Sequence, residues 1–178
     1  MLTQKELKEL LHYNPETGVF TWRVSPSSTA KVGQVAGHTN KKTSYLQIGL
    51  VSKLYQGHRL AWFYMTGEWP RKYIDHINGV KDDNRWVNLR EATSQQNMFN
   101  KSSLRGSSSN YKGVHWHKIT KKWAAQTILN YKNHYLGVFD CEHEAALVYN
   151  QFALKQHGEY AFFNQVYNHF DVEVGRDD

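Results

Sequence analysis

Cysteine is nearly absent: Cys141 stands alone in 178 residues, which excludes an internal disulfide and any cysteine-built zinc cluster. No apolar run approaches the roughly 18 residues that a membrane helix needs, and no signal peptide pattern opens the chain. A soluble protein working inside a cell is therefore expected. Histidine is plentiful at ten, yet no His-x-x-x-His helix pair occurs. Acid is missing from one long stretch: between Lys101 and Lys132 there are seven Lys or Arg, and the next acid is Asp140. What is present suits a folded protein with a polyanionic partner. Apolar residues make up 40% and aromatics 14%, too much for disorder. The net charge of +6 points most simply to nucleic acid.

One stretch organises the rest: Tyr73-Ile74-Asp75-His76-Ile77-Asn78-Gly79, continued through Asp83-Asn84-Arg85, Asn88-Leu89-Arg90 and Gln95-Gln96-Asn97. A β-prone run delivers an Asp-His pair to a turn at Asn78-Gly79. A return strand is expected to close at Asn88-Leu89. Thr93-x-x-Gln96 then reads as a capping box opening a helix with Asn97 in its first turn. The segment is β-loop-β-α, with Asp75, His76, Asn88 and Asn97 as its interior polar groups. A carboxylate and a carboxamide are hard oxygen ligands suited to Mg²⁺ or Mn²⁺ rather than zinc. The adjacent imidazole can take a proton from water near neutral pH. A divalent ion on a phosphate oxygen with a base beside it is a phosphodiester-cleaving arrangement.

Asp75-His76, Asn88 and Asn97 together resemble the H-N-H (ββα-metal, His-Me finger) nuclease motif. The variant is that of phage homing endonucleases whose last motif residue is Asn. The resemblance implies that Asp75 and Asn97 hold one metal ion, that His76 is the general base, and that Asn88 braces the loop of the catalytic set. The approach His58-Arg59-Leu60-Ala61-Trp62, then Gly67-x-Trp69-Pro70, is similar to that family too, as is the pattern from Leu10 to Gly18.

Upstream, Thr3-x-x-Glu6 caps an amphipathic helix carrying Leu2, Leu7, Leu10 and Leu11, and Pro15 to Gly18 form a turn before the strand-like Val19 to Trp22. Short strands are expected over Val32 to His38, Tyr45 to Val51 and Leu54 to His58. A helix follows from Leu60 to Met65, ended by Gly67 and Pro70. His58 and Arg59 sit just before it as candidate DNA contacts; His58 serves equally well as a structural histidine. Asp82 and Asp83 read as solvated turn acids.

From Lys101 to Ser109 the chain is rich in Ser and Gly, a linker. The acid-free run beyond it is interleaved with Val114, Trp116, Trp123, Ile128 and Leu129, so an ordered anion-binding face is expected rather than disorder. Strands are expected over Lys112 to His117, Lys122 to Asn130 and His134 to Phe139, with Asp140 capping a helix that Gly158 ends. Tyr111-Lys-Gly-Val114, Lys122-Trp-Ala-Ala125, Leu136-Gly-Val-Phe139 and Glu144-Ala-Ala146 resemble an AP2/ERF domain, which sets its three-stranded sheet into the DNA major groove. Carried over, the DNA-facing positions are Lys112, His115, His117, Gln126, Ile128, Asn133 and Tyr135. Gln126 has the chemistry to read an adenine, and Lys112 and Lys122 to hold phosphate. Several of these are arginine in the plant proteins, so base preference does not transfer.

The expected fold class is α+β: a ββα-metal nuclease followed by an AP2-like three-stranded antiparallel sheet packed on one helix. Residues 1–100 form the nuclease with a β-rich extension, 101–109 the linker, 110–166 the AP2/ERF-like domain and 167–178 an acidic tail. The expected protein is a homing-type endonuclease: a monomer that hydrolyses double-stranded DNA with Mg²⁺, Mn²⁺ substituting, in the cytoplasm of an infected bacterial host if phage-encoded. The alternative is a DNA-binding regulator whose nuclease motif no longer cuts.

Overall fold

The computed structural model describes residues 2–27, 30–101, 106–130 and 132–166. Ser102, Ser103, Leu104 and Arg105 of the linker and basic run lie outside the described residues, as does the tail 167–178. The chain forms two compact units that divide between Met98 and Phe99, and the fold is mixed α/β built on small antiparallel sheets. Among the described residues no helix is long and apolar enough to cross a membrane.

In the first unit, helix α1 (Gln4–Leu10) opens on a full capping box: Glu6 N donates to Thr3 Oγ1 at 3.2 Å and Thr3 N to Glu6 Oε2 at 2.8 Å. Strand β1 (Leu11–Tyr13) follows at once and pairs with β2 (Phe20–Trp22). Between them Asn14 Oδ1 accepts from the backbone of Glu16 and Thr17, and Gly18 turns the chain at φ 73°. A Cβ on Gly18 would stand 2.5 Å from the backbone of Asn84 and Arg85, so only glycine lets this turn lie against the later loop.

Strands β3 (His38–Thr39), β4 (Leu46–Leu50) and β5 (Lys53–Gln56) make a three-stranded sheet. The expected strand over Val32 to His38 shrinks to β3 and a lone bridge between Thr21 and Val35. Gly33 and Gly37, at φ 82° and 88°, carry the backbone out of the extended region there. Helix α2 (Gly57–Thr66) starts three residues earlier than the apolar periodicity suggests and ends on Gly67 in the left-handed conformation. His58 and Arg59 therefore ride in its first turn. Leu7, Leu11, Phe20, Ile48 and Leu60 are fully buried at the centre of the unit's core.

Strands β6 (Tyr73–His76) and β7 (Leu89–Ala92) pair with Asp75 opposite Arg90 and His76 opposite Leu89. The return strand begins at Leu89 rather than closing there, and twelve residues separate the strands. Asn78-Gly79 is thus not a two-residue hairpin turn but the opening bend of a long loop, with Gly79 N bonded to His76 O at 2.9 Å. Helix α3 (Ser94–Phe99) follows, its capping box formed by Thr93 N to Gln96 Oε1 at 2.8 Å and Gln96 N to Thr93 Oγ1 at 3.2 Å.

The second unit is a meander of β8 (Val114–His117), β9 (Lys122–Leu129) and β10 (Lys132–Phe139) with helix α4 (Glu142–His157). Val114, Ala125, Ala145 and Ala146 are its buried centre, and the two alanines let the helix lie close on the sheet. Gly113 is indispensable to that approach: at φ 75°, an added Cβ would stand 2.2 Å from the Tyr149 ring. Cys141, not Asp140, is the N-cap residue of α4; Asp140 instead pairs with Lys122 at 3.0 Å. The linker also ends sooner than its composition suggests. Ser109 is buried, its hydroxyl bonded to Glu142, and Ser108 Oγ accepts from Trp116 N at 2.8 Å.

Candidate active site

Strand alternation and one long loop build the polar centre of the first unit. Asp75 and His76 are consecutive and both buried. Asp75 Oδ2 accepts from Arg90 Nε at 3.1 Å and Nη2 at 2.9 Å, a direct cross-strand pair in which both side chains are largely shielded. His76 Nε2 lies 3.3 Å from Asn84 Oδ1, and the other end of that carboxamide donates to Asp82 O at 3.0 Å. With Nδ2 so committed, Asn84 presents an acceptor; this selects the tautomer protonated at Nε2 and puts the His76 lone pair on Nδ1. Burial lowers the His76 pKa, opposed by the Asn84 bond and by the charges of Asp75, Asp83 and Asp82.

The loop is held by its own amides. Asn88 Oδ1 accepts from Asn78 N at 3.0 Å, while its Nδ2 donates to Asn78 Oδ1 at 3.0 Å and to Asp83 O at 2.8 Å. The Asn88 side chain is thus wholly engaged in bracing. Asp83 is not a solvated turn acid: Arg85 grips it through Nε at 2.8 Å and Nη2 at 2.6 Å, which holds its carboxyl down at about 2. The β1–β2 turn supports the loop from outside, with Tyr13 Oη donating to Asn84 O at 2.7 Å and Trp86 N to Pro15 O at 2.9 Å.

Asn97 is half-buried in the first turn of α3, and among the described residues no hydrogen bond engages its side chain. Among those residues no cluster of three or more His, Cys, Asp or Glu forms a closed metal cage. Asp75 and Asn97 each carry oxygen donors, a donor chemistry that suits Mg²⁺ or Mn²⁺ rather than a structural zinc.

His58 and Arg59, the two candidate contacts before the motif, are both engaged within the first unit. His58 is buried with its ring 5.0 Å from that of His76, edge to face, and its Nδ1 has no hydrogen-bond partner. Burial, then the neighbouring His76 and Arg59, push its pKa down to about 3. Arg59 Nη2 donates to Pro70 O at 3.2 Å. Sequence reasoning missed Asn84, Arg90 and Tyr45. Asn84 and Arg90 lie inside the motif, but only the strand register and the loop's fold reveal what they touch. Tyr45 comes from the preceding sheet, its ring 5.0 Å from His58 and 6.0 Å from His76.

In the second unit the register sorts the expected contacts by face. Pairing of His115 with Ala124, His117 with Lys122, Tyr135 with Gln126 and Asn133 with Ile128 puts His115, His117, Lys122, Gln126, Ile128, Asn133 and Tyr135 on one face of the sheet. It is the face opposite the one on which Val114 and Ala125 pack beneath α4. Ile128 and Tyr135 are 59% and 63% exposed, and Asn133 Nδ2 reaches Gln126 Oε1 at 3.2 Å. Lys112 is the exception. It precedes β8, and its Nζ turns inward to donate to Phe99 O at 2.5 Å, where burial lowers its pKa to about 8. Its backbone is clasped on both sides by Asn164. An ammonium so engaged does not lie on a phosphate-binding surface.

Comparison with known proteins assigns a class to the first of these sites. Residues 55–99, the span holding His58, Asp75, His76, Asn88 and Asn97, match the family described as HNH endonuclease. In this span the chain is similar to an HNH endonuclease domain. Two relatives extend the likeness. An uncharacterized HNH endonuclease of Acanthamoeba polyphaga mimivirus is 41% identical over 95 residues, covering 53% of this chain and 48% of the relative. Protein 3.8 of Escherichia phage T7 is 29% identical over 107 residues, 60% of this chain and 88% of that protein. The chain thus spans about half the length of the mimiviral relative (48%).

Proposed function

We propose that this protein is a metal-dependent, site-specific DNA endonuclease of the homing type, cutting with the first unit and selecting its site with the outer sheet face of the second. The observation that carries the reading is the His76 imidazole, buried beside Asp75 and held by Asn84 in one tautomer within the HNH-matching region. His76 takes the proton from a water through Nδ1 as that water attacks phosphorus in line; Asn84 keeps the ring aimed while the charge forms. Asn88 holds the loop so that neither residue drifts. Arg90 orients the Asp75 carboxylate. Asp75 and Asn97 would hold a Mg²⁺ or Mn²⁺ ion, which supplies charge stabilisation at the phosphate oxygens.

The second unit is read as an AP2/ERF-like module whose outward residues meet double-stranded DNA. Gln126, Asn133, His115 and His117 carry side-chain donors and acceptors for base edges, and Tyr135 an aromatic surface. Lys122, shared with exposed Asp140, meets phosphate when DNA displaces that weak pair. The basic run and the net charge of +6 support a polyanionic partner.

One observation favours a second reading, a DNA-binding regulator that does not cut: Asp75 is already engaged by Arg90. Supercoiled plasmid incubated with protein and Mg²⁺ separates the two. The endonuclease reading expects nicked or linear product, none in excess EDTA, weak support by Zn²⁺, and a raised Mg²⁺ requirement in Asp75→Ala and Asn97→Ala. Binding without cutting at any Mg²⁺ or Mn²⁺ concentration leaves the regulator.

A further inference from the structure

We infer that Tyr45, from the sheet upstream of the HNH-matching region, is a catalytic residue of this site, its phenol O–H donating a hydrogen bond to a non-bridging oxygen of the scissile phosphate. The inference rests on the nuclease reading above.

Tyr45 enters the site immediately before β4, behind a turn whose geometry is closely determined. Asn40 Oδ1 accepts from Lys42 N at 2.9 Å and Thr43 N at 3.1 Å, Ser44 N donates to Asn40 O at 2.7 Å, and Ser44 is held at φ 63°. That turn delivers the Tyr45 ring onto the two imidazoles of His58 and His76. The opposing clamp comes from the catalytic loop itself. Lys81 Nζ sits 5.2 Å over the Tyr45 ring and donates to Thr43 O at 3.2 Å. The ring is therefore fixed from both sides, as a group acting on a substrate atom must be.

Its hydroxyl is the telling part. The Asn84 and Asn88 side chains beside His76 have protein partners, and Tyr13, the buried tyrosine of the same unit, donates to Asn84 O. Among the described residues the Tyr45 hydroxyl has no hydrogen-bond partner, although the residue is half-buried beside the proposed base. Left without a protein acceptor beside the proposed base, this donor is available to a substrate atom that displaces its water. At this position the arriving acceptor is the phosphate that His76 serves. Burial, followed by the charge of Asp75, raises the phenol above its ordinary pKa, so it stays a donor across the working pH range.

The test is Tyr45→Phe, which keeps the ring, its stacking and the Lys81 clamp, and removes only the hydroxyl. Wild type is first used to map a cut site. Synthetic duplexes are then made with the natural phosphate, or with Rp or Sp phosphorothioate, at that position. On natural DNA the variant should cut about 100-fold more slowly, the effect typical of losing one oxyanion donor. Thermal stability and DNA affinity should be unchanged. Because sulfur accepts hydrogen bonds poorly, the wild-type advantage should collapse for one phosphorothioate diastereomer and persist for the other. A Tyr45→Phe protein that cuts natural DNA as fast as wild type overturns the inference and spares the nuclease reading. So does an advantage that persists on both diastereomers, since Tyr45 then acts through its neighbours. A wild type that cuts no DNA removes the nuclease reading and this inference together.

Discussion

The two units put their polar residues in opposite places. The first buries Asp75, His76, Asn84 and Asn88, each hydrogen-bonded within the unit, around one loop; the second lays His115, His117, Gln126, Asn133 and Tyr135 along an outward sheet face over a small alanine-rich core. Burying polar groups is costly unless they bond to one another, and a set that does so has very little freedom left. That rigidity suits proton transfer, where a misplacement of an ångström matters. An exposed row keeps its water until a partner replaces it, which suits recognition by many modest contacts. The difference teaches that one short chain keeps a buried, mutually bonded polar set and an exposed polar row in two separate architectures, which is what the proposed division between chemistry and selection requires.

The largest expected effect strikes the first unit alone. His76→Ala should lower the cutting rate by about 10²–10⁴-fold, the usual cost of a lost general base. DNA binding, proposed to come from the outward face of the second unit, should be nearly unchanged in a mobility-shift titration. A variant that still cuts at close to the wild-type rate would remove His76 as the base.

The converse strikes the second unit. Gly113→Ala forces a Cβ into the Tyr149 ring at a φ of 75°. It should cost that unit about 3 kcal/mol or more. Hydrogen exchange should show β8 to β10 losing protection while β6 and β7 keep theirs. Equal loss in both units would mean that their stabilities are not separable.

Acid should sharpen the contrast further. His58 drops from 6.5 unfolded to about 3 folded. Below pH 6.5 the unfolded chain takes up a proton that the folded first unit refuses, so its stability is full above that pH and falls steadily toward pH 3. His76 acts in the same direction. Denaturant midpoints measured across this range should decline for the first unit, and His58→Gln should flatten the decline. An unchanged slope in that variant would exonerate His58.

The smallest effects belong to the outer face. Gln126→Ala should relax discrimination at one base position by about 1–3 kcal/mol, leaving the rate on bound DNA intact. Lys122→Ala should weaken all sequences alike and lower the log–log salt slope by about one. If Gln126→Ala slows cutting of bound DNA instead, the division of labour fails.

Much of the local frame around the candidate site residues was readable from residue types. Asp75, His76, Asn88 and Asn97 sit in a β-loop-β-α frame whose capping box at Thr93 formed as its residue types demand. The period-two alternation from His115 to Tyr135 likewise put the expected contacts on one face. The errors have physical causes. Gly33 and Gly37 ended a strand that its apolar residues favoured, because glycine at positive φ leaves the extended region whatever its neighbours prefer. Lys112 read as a phosphate contact because lysine is usually exposed, and a chain pattern does not record which side chains a neighbouring element will cover.

The sequence by itself determined the local frame: caps, turns and alternation act over four or five residues, within reach of the chain's own spacing. Only the tertiary structure decided who touches whom across that frame. Asn84 on His76, Arg90 on Asp75, Tyr45 over both imidazoles and Lys112 turned inward are contacts made by packing, often between residues far apart in the chain. Their choice follows from burial, because a polar group removed from water must take whichever partner the fold brings within bonding distance.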